Sequence, residues 1–115
     1  MKVNYDFLEP GEKVIMKGGV NKQQFLGMNK GGNLILTDRR LVFLAHSINF
    51  GSKFDEILFD DIAFSGNTLN IFLPVPHMIK VVTKDGKSHE FVVFMKQKQQ
   101  WKEKISEAVK EYKLS

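Results

Sequence analysis

The stretch Met78-Ile79-Lys80-Val81-Val82-Thr83-Lys84-Asp85-Gly86-Lys87-Ser88-His89-Glu90-Phe91-Val92-Val93-Phe94 holds two runs of strand-forming residues around an Asp-Gly turn, and its register decides the kind of sheet the chain builds. A two-residue turn at Asp85-Gly86 sets Lys80 opposite Phe91 and Val81 opposite Glu90, which mixes apolar and charged groups on both faces. A three-residue turn with Gly86 in the left-handed conformation sets Ile79 opposite Phe91 and Lys80 opposite Glu90. One face is then apolar and the other pairs opposite charges, so the three-residue turn is the expected one.

Upstream, glycines cut the first 95 residues into short apolar stretches, the rhythm of an antiparallel β domain. Val14-Ile15-Met16 begins a strand, and Gln24 to Met28 either continues it or forms a second one after a break at Gly18-Gly19. Leu34-Ile35-Leu36-Thr37 and Leu41-Val42-Phe43-Leu44-Ala45 are almost unbroken apolar runs, which suits neighbouring strands covered on both faces. Asp38 and Arg39 form the tight turn between them. Further strands are expected around Glu56 to Phe59 and Ile62 to Ser65, with a bend at Asp60 and Asp61, followed by a looser segment from Gly66 to His77. Downstream, from about Lys98 to Lys113, the period becomes helical: Trp101, Ile105, Ala108, Val109 and Tyr112 form one stripe, with lysine and glutamate elsewhere. Such a one-sided helix must cover an apolar surface, and the open end of the sheet is the surface expected.

The chain has 115 residues, 43% of them apolar and 26% charged, enough for a single domain over 1–115 with its own core. No apolar run approaches the roughly 18 to 20 residues of a membrane helix, and Met1 to Asp6 lacks a signal peptide's hydrophobic stretch, so a cytoplasmic location is expected. The absence of cysteine excludes disulfides, thiolate catalysis and thiolate metal sites. His46, His77 and His89 have no metal-ligand spacing, and Asp60 and Asp61, as neighbours on an extended chain, cannot converge as a catalytic pair. Gly31-Gly32-Asn33 precedes a strand rather than a helix, so it is read as a strand entrance and not a phosphate loop. No catalytic residue, metal or cofactor is therefore expected, and a small enzyme is the most distant of the alternative functions.

The run Gly31-Gly32-Asn33-Leu34-Ile35-Leu36-Thr37-Asp38-Arg39-Arg40-Leu41-Val42-Phe43 resembles the glycine, Leu-Thr-Asn-Lys-Arg-Leu and aromatic signature of GRAM domains. Gly11-Glu12-Lys13-Val14 is similar to that family's opening, Asp61-Ile62 to its mid-domain Asp-Ile, and Thr83 to Phe91 to its Thr-x-Asp-Gly-Lys hairpin. The match runs from about Leu8 to Val109. The resemblance implies a mainly β, pleckstrin-homology-like fold: a two-sheet antiparallel barrel or sandwich of about seven strands capped by one C-terminal α-helix. It also implies an accessory module that binds lipids or proteins. This sequence departs from the pattern in carrying no attached enzyme, so a partner is expected to act in trans, and in a longer Gly66 to His77 connection.

The net charge of +4, from 17 basic and 13 acidic residues, favours acidic partners without demanding one. The only arginines, Arg39 and Arg40, are adjacent, which is unlike the scattered arginine and aromatic pattern of nucleic-acid binders, so no nucleic acid is expected. A membrane-surface module binding anionic lipid headgroups, peripheral at the inner face of the membrane, would use Lys17, Lys22, Lys30, Arg39 and Arg40. The preferred expectation is a non-catalytic adaptor that receives a protein partner, either at a sheet edge beside the helix or through Ile71, Phe72, Leu73 and Val75 of the Pro-rich 66 to 77 segment. The competing reading of those residues is an inward-folded loop or a short edge strand.

Overall fold

The computed structural model describes residues 5–23, 29–46, 54–65, 68–69, 71–72 and 78–114. The order is β1 (Val14–Lys22), β2 (Lys30–Thr37), β3 (Arg40–Ala45), β4 (Phe54–Leu58), a 3-10 turn (Phe59–Asp61), β5 (Phe64–Ser65), β6 (Thr68–Leu69), β7 (Ile71–Phe72), β8 (Met78–Val82), β9 (Ser88–Val92) and α1 (Met95–Leu114). Seven strands form one antiparallel sheet in the order β4-β3-β2-β1-β9-β8-β7, and β5 and β6 pair separately.

The sheet has two halves joined at a short seam. β1 pairs with β2 from Val14 to Lys22 but with β9 only at Asn21↔Val92 and Lys22↔Phe91. The overlap is confined to the two strand ends because β9 stops at Val92 and the chain enters the helix at Met95, and Gln23 N–H adds a bond to the Glu90 carbonyl at 2.9 Å. Closure comes from the turn after β4: Lys84 N–H donates to the Asp61 carbonyl at 2.7 Å, Ala63 N–H to the Val82 carbonyl at 2.9 Å, and Ile62 bridges Thr83.

The β8–β9 hairpin adopts the three-residue turn. Ile79 faces Phe91 and Lys80 faces Glu90, with an ammonium–carboxylate distance of 4.0 Å. Gly86 has φ +88°, a region where an L side chain is strained. Ile79, Val81 and Phe91 are buried in the core on the apolar side of this register.

β2 and β3 are covered on both faces, as their continuous apolar runs imply. Leu34, Leu36, Leu41, Phe43 and Ala45 belong to the main core, while the alternate residues Ile35 and Val42 are equally buried on the opposite face. The cover on that outer face is the N-terminal segment, whose Phe7 ring packs 5.8 Å from Phe54 and 6.4 Å from Tyr5. Asp38 and Arg39 form the turn between these strands.

α1 buries Trp101, Ile105, Ala108 and Val109 against the core, and Tyr112 packs partly buried beside them. Its far end is fixed to the 3-10 turn: the Phe59 and Tyr112 rings meet edge-on at 5.5 Å, and Tyr112 OH donates to Asp60 at 2.8 Å. Asp60 is thus a structural acceptor at a bend.

Four expectations are corrected. β1 runs unbroken through Gly18-Gly19, because both glycines pair with Leu34 and Asn33 of β2, while Gln24 to Met28 lie outside the described residues. Gly31-Gly32-Asn33 are inside β2 and not at its entrance. The helix begins at Met95, since Gln97 N–H already bonds the Phe94 carbonyl at 2.8 Å. The 66 to 77 segment is not all loop: Ile71 and Phe72 pair with Val81 and Lys80 as the edge strand β7, the competing reading of these residues.

Candidate functional site

Four of the five cations named from sequence fall into two pairs at opposite ends of β2. Lys22 and Lys30 are direct register partners at one end, and Arg39 and Arg40 lie beyond the other, about 25 Å away along eight strand residues. Lys17 stands between these ends on β1.

Arg40 is committed internally. Its Nε and one terminal nitrogen grip both oxygens of Glu12 at 2.9 Å, its other terminal nitrogen meets Glu56 at 2.6 Å, and it donates to the Phe7 carbonyl at 2.8 Å. The Phe7 ring lies 5.3 Å from the guanidinium carbon. Glu12 also accepts from the Thr37 hydroxyl at 2.7 Å and the Glu9 N–H at 2.9 Å. Burial pushes the Glu12 carboxyl up, but the bonds from Arg40, Glu9 and Thr37 together with the Arg40 charge outweigh it and bring its pKa down to about 2. The same carboxylates raise Arg40 further against its desolvation. This cluster clasps the N-terminal segment to the outer face of β2 and β3.

The other cations are engaged to different degrees. Lys22 pairs with Asp55 at 3.3 Å and lies 5.9 Å from the Phe43 ring, with only 13% of its side chain exposed. Lys30 is buried. Arg39 is exposed, donates to the Pro10 carbonyl at 3.1 Å and sits 3.9 Å from Asp38. Lys17 is exposed, with its ammonium 5.6 Å from the Tyr5 ring. Of the residues assigned to protein binding, Ile71 and Phe72 form β7, and Leu73 and Val75 lie outside the described residues.

The two borders of the seven-stranded sheet differ chemically. β4 carries Asp55 and Glu56 in its five residues, and both are held in ion pairs with Lys22 and Arg40. Charges on a border strand disfavour addition of another strand. β7 is Ile-Phe, and among the described residues it pairs within this sheet only with β8.

A hollow of about 320 Å³ lies on the outer face at the β1–β9 seam, lined by Gly19, Asn21, Gly31, His46, Val92 and Phe94 among others. The Phe94 side chain is 67% exposed. Sequence reading missed this feature. The available signal was a phenylalanine just past the end of the β9 alternation and before the helical stripe. A second hollow of similar volume, near the β8–β9 turn, is lined by Glu56, Asp61, Lys84, Asp85, Lys87 and His89, so it carries both signs of charge. Among the described residues no group of three or more His, Asp or Glu side chains could hold a metal ion, and no helix is long and apolar enough to cross a membrane.

No family model matches the chain, and no curated protein matches it in sequence. Solved structures do match in shape. The N-terminal PH domain of Vps36 aligns with a TM-score of 0.69 at 16% identity, covering 94% of this chain and 86% of that one. The PH domain of human pleckstrin homology domain-containing protein family A member 5 aligns with a TM-score of 0.58 at 20% identity, covering 95% and 87%. The DH/PH fragment of PDZRHOGEF, solved in complex with human RhoA, aligns with a TM-score of 0.68 at 17% identity, covering 87% of this chain but only 29% of the matched one. The chain therefore has a pleckstrin-homology-like fold.

Proposed function

We propose that this chain is a non-catalytic adaptor of the GRAM type, and that it receives a protein partner by addition of an extended segment to the outer border of β7. The observation that carries this reading is the contrast between the sheet's two borders: β4 sets two ion-paired carboxylates, Asp55 and Glu56, among its apolar residues Phe54, Ile57 and Leu58, whereas Ile71-Phe72 carries no charge and, among the described residues, pairs in that sheet only with β8. The complex of a PH-containing fragment with human RhoA is consistent with a protein partner for this fold. The GRAM assignment is supported by the way Gly31 to Phe43 maps onto a strand, a two-residue turn and a strand. Anionic headgroups are the less favoured ligand because Arg40 and Lys22 spend their charge on Glu12, Glu56 and Asp55.

Proximity labelling in cells identifies the partner, and Phe72→Ala then tests the interface. The expected result is reduced partner recovery per folded molecule with a melting temperature close to wild type, because interface aromatics carry a disproportionate share of binding energy. A lowered melting temperature with unchanged recovery per folded molecule assigns Phe72 to the core and removes this interface.

A further inference from the structure

We propose that the hollow beside Phe94 is a second docking site, separate from the β7 border, and that its occupant is an acidic peptide segment bearing one bulky apolar side chain. Phe94 is the most exposed aromatic side chain among the described residues, and the surface beside it is a concavity rather than a plane. The space in front of Gly19 is open, since a Cβ built there meets nothing within 4 Å. Val20, Val92 and Val93 supply apolar lining, and Asn21 and His46 supply the polar side chains. At about 320 Å³ the hollow sits at the lower end of the roughly 300–1,000 Å³ of ligand pockets, a size for one side chain and its adjoining backbone.

The sign of the occupant's charge follows from the surroundings. Lys17 shares a face of β1 with Gly19 and Asn21 and is exposed, and exposed Lys96 follows Phe94 by two residues. Among the described residues no acidic one lines the hollow, and the first turn of α1 contains none. A second copy of the chain would bring its own Lys17 and Lys96 and a net charge of +4 to the same place, so self-association is opposed. A bilayer presents a plane, which a hollow does not complement.

The test is an amide NMR titration of the whole chain with the acetylated, amidated peptide Glu-Asp-Phe-Asp-Glu. Shifts are expected at Gly19, Gly31, His46, Val92 and Phe94, with the amides of β7 unmoved, so this site stands or falls independently of the β7 border. Gly19→Leu fills the hollow and is expected to weaken the peptide at least tenfold with an unchanged melting temperature. Lys17→Glu combined with Lys96→Glu is expected to weaken it at least threefold and to remove its salt dependence. Peptide binding that survives Gly19→Leu, or that is equally strong when the peptide's Phe is replaced by Ala, overturns the proposal. So do shifts confined to β7, concentration-dependent shifts of the same five amides without peptide, which would identify a second copy as the occupant, and broadening of these amides by phosphatidylserine vesicles with no response to the peptide.

Discussion

Arg40 and Glu12 are 28 residues apart in the chain, and their pair is the strongest polar restraint on the outer face. Breaking one partner of a buried pair is costlier than replacing both, because the survivor keeps its desolvation cost without compensation. Arg40→Ala is therefore expected to lose about 3–5 kcal/mol in denaturant unfolding, and the double variant Glu12→Gln with Arg40→Met to lose clearly less. The pair also sets an acid limit. Glu12 has a folded pKa of about 2 against an ordinary 4.5, so its contribution is complete above the ordinary value and is lost as pH falls from about 5 toward 2. That contribution is on the order of 3 kcal/mol, and thermal melts of Glu12→Gln are expected to show a flatter acid limb than wild type. Gly32 is constrained differently: a Cβ there would lie 2.3 Å from the Leu44 carbonyl oxygen and 2.9 Å from Ala45 Cα, both backbone atoms. Gly32→Ala is expected to lower stability by about 1–3 kcal/mol as an overpacking change. Sequence reading placed Arg40 in a headgroup site because its turn position is visible locally, while the carboxylate that occupies it lies 28 residues upstream in a segment without periodicity.

At the scale of elements, the legible parts were those whose register is fixed by side-chain alternation. The β8–β9 hairpin was readable because one register separates apolar from charged groups and the other mixes them, and the stripe of α1 was readable because its period differs from that of the strands before it. β7 was readable only as an alternative: two residues in a Pro-rich segment show no period that would separate an edge strand from an inward-folded loop, and the pairing with Val81 and Lys80 selects the edge strand. The helix supplies a sharp test of packing. Trp101 is fully buried, its ring carbon Cζ2 lies 3.2 Å from where a Cβ on Gly18 would be, and its Nε1 has no hydrogen-bond partner among the described residues. Trp101→Ala is expected to cost about 3–5 kcal/mol. Trp101→Phe keeps much of the apolar area and removes the unpaired N–H, so it is expected to cost well under half as much by the same unfolding measurement.

At the scale of the whole molecule, the fold is a sheet joined at the short β1–β9 seam, closed on one side by the turn after β4 and covered by α1. This arrangement leaves one border that carries ion-paired carboxylates and one that carries no charge, and the proposed function rests on that asymmetry. The most direct measurement is amide hydrogen exchange of the domain, free and bound to the partner found by proximity labelling. Strand addition predicts slowed exchange at Ile71 or Phe72 in the complex, with the β4 amides from Phe54 to Leu58 unchanged. Unchanged exchange at both Ile71 and Phe72, with protection gained elsewhere on the surface, would contradict the β7 border as the place where the partner docks.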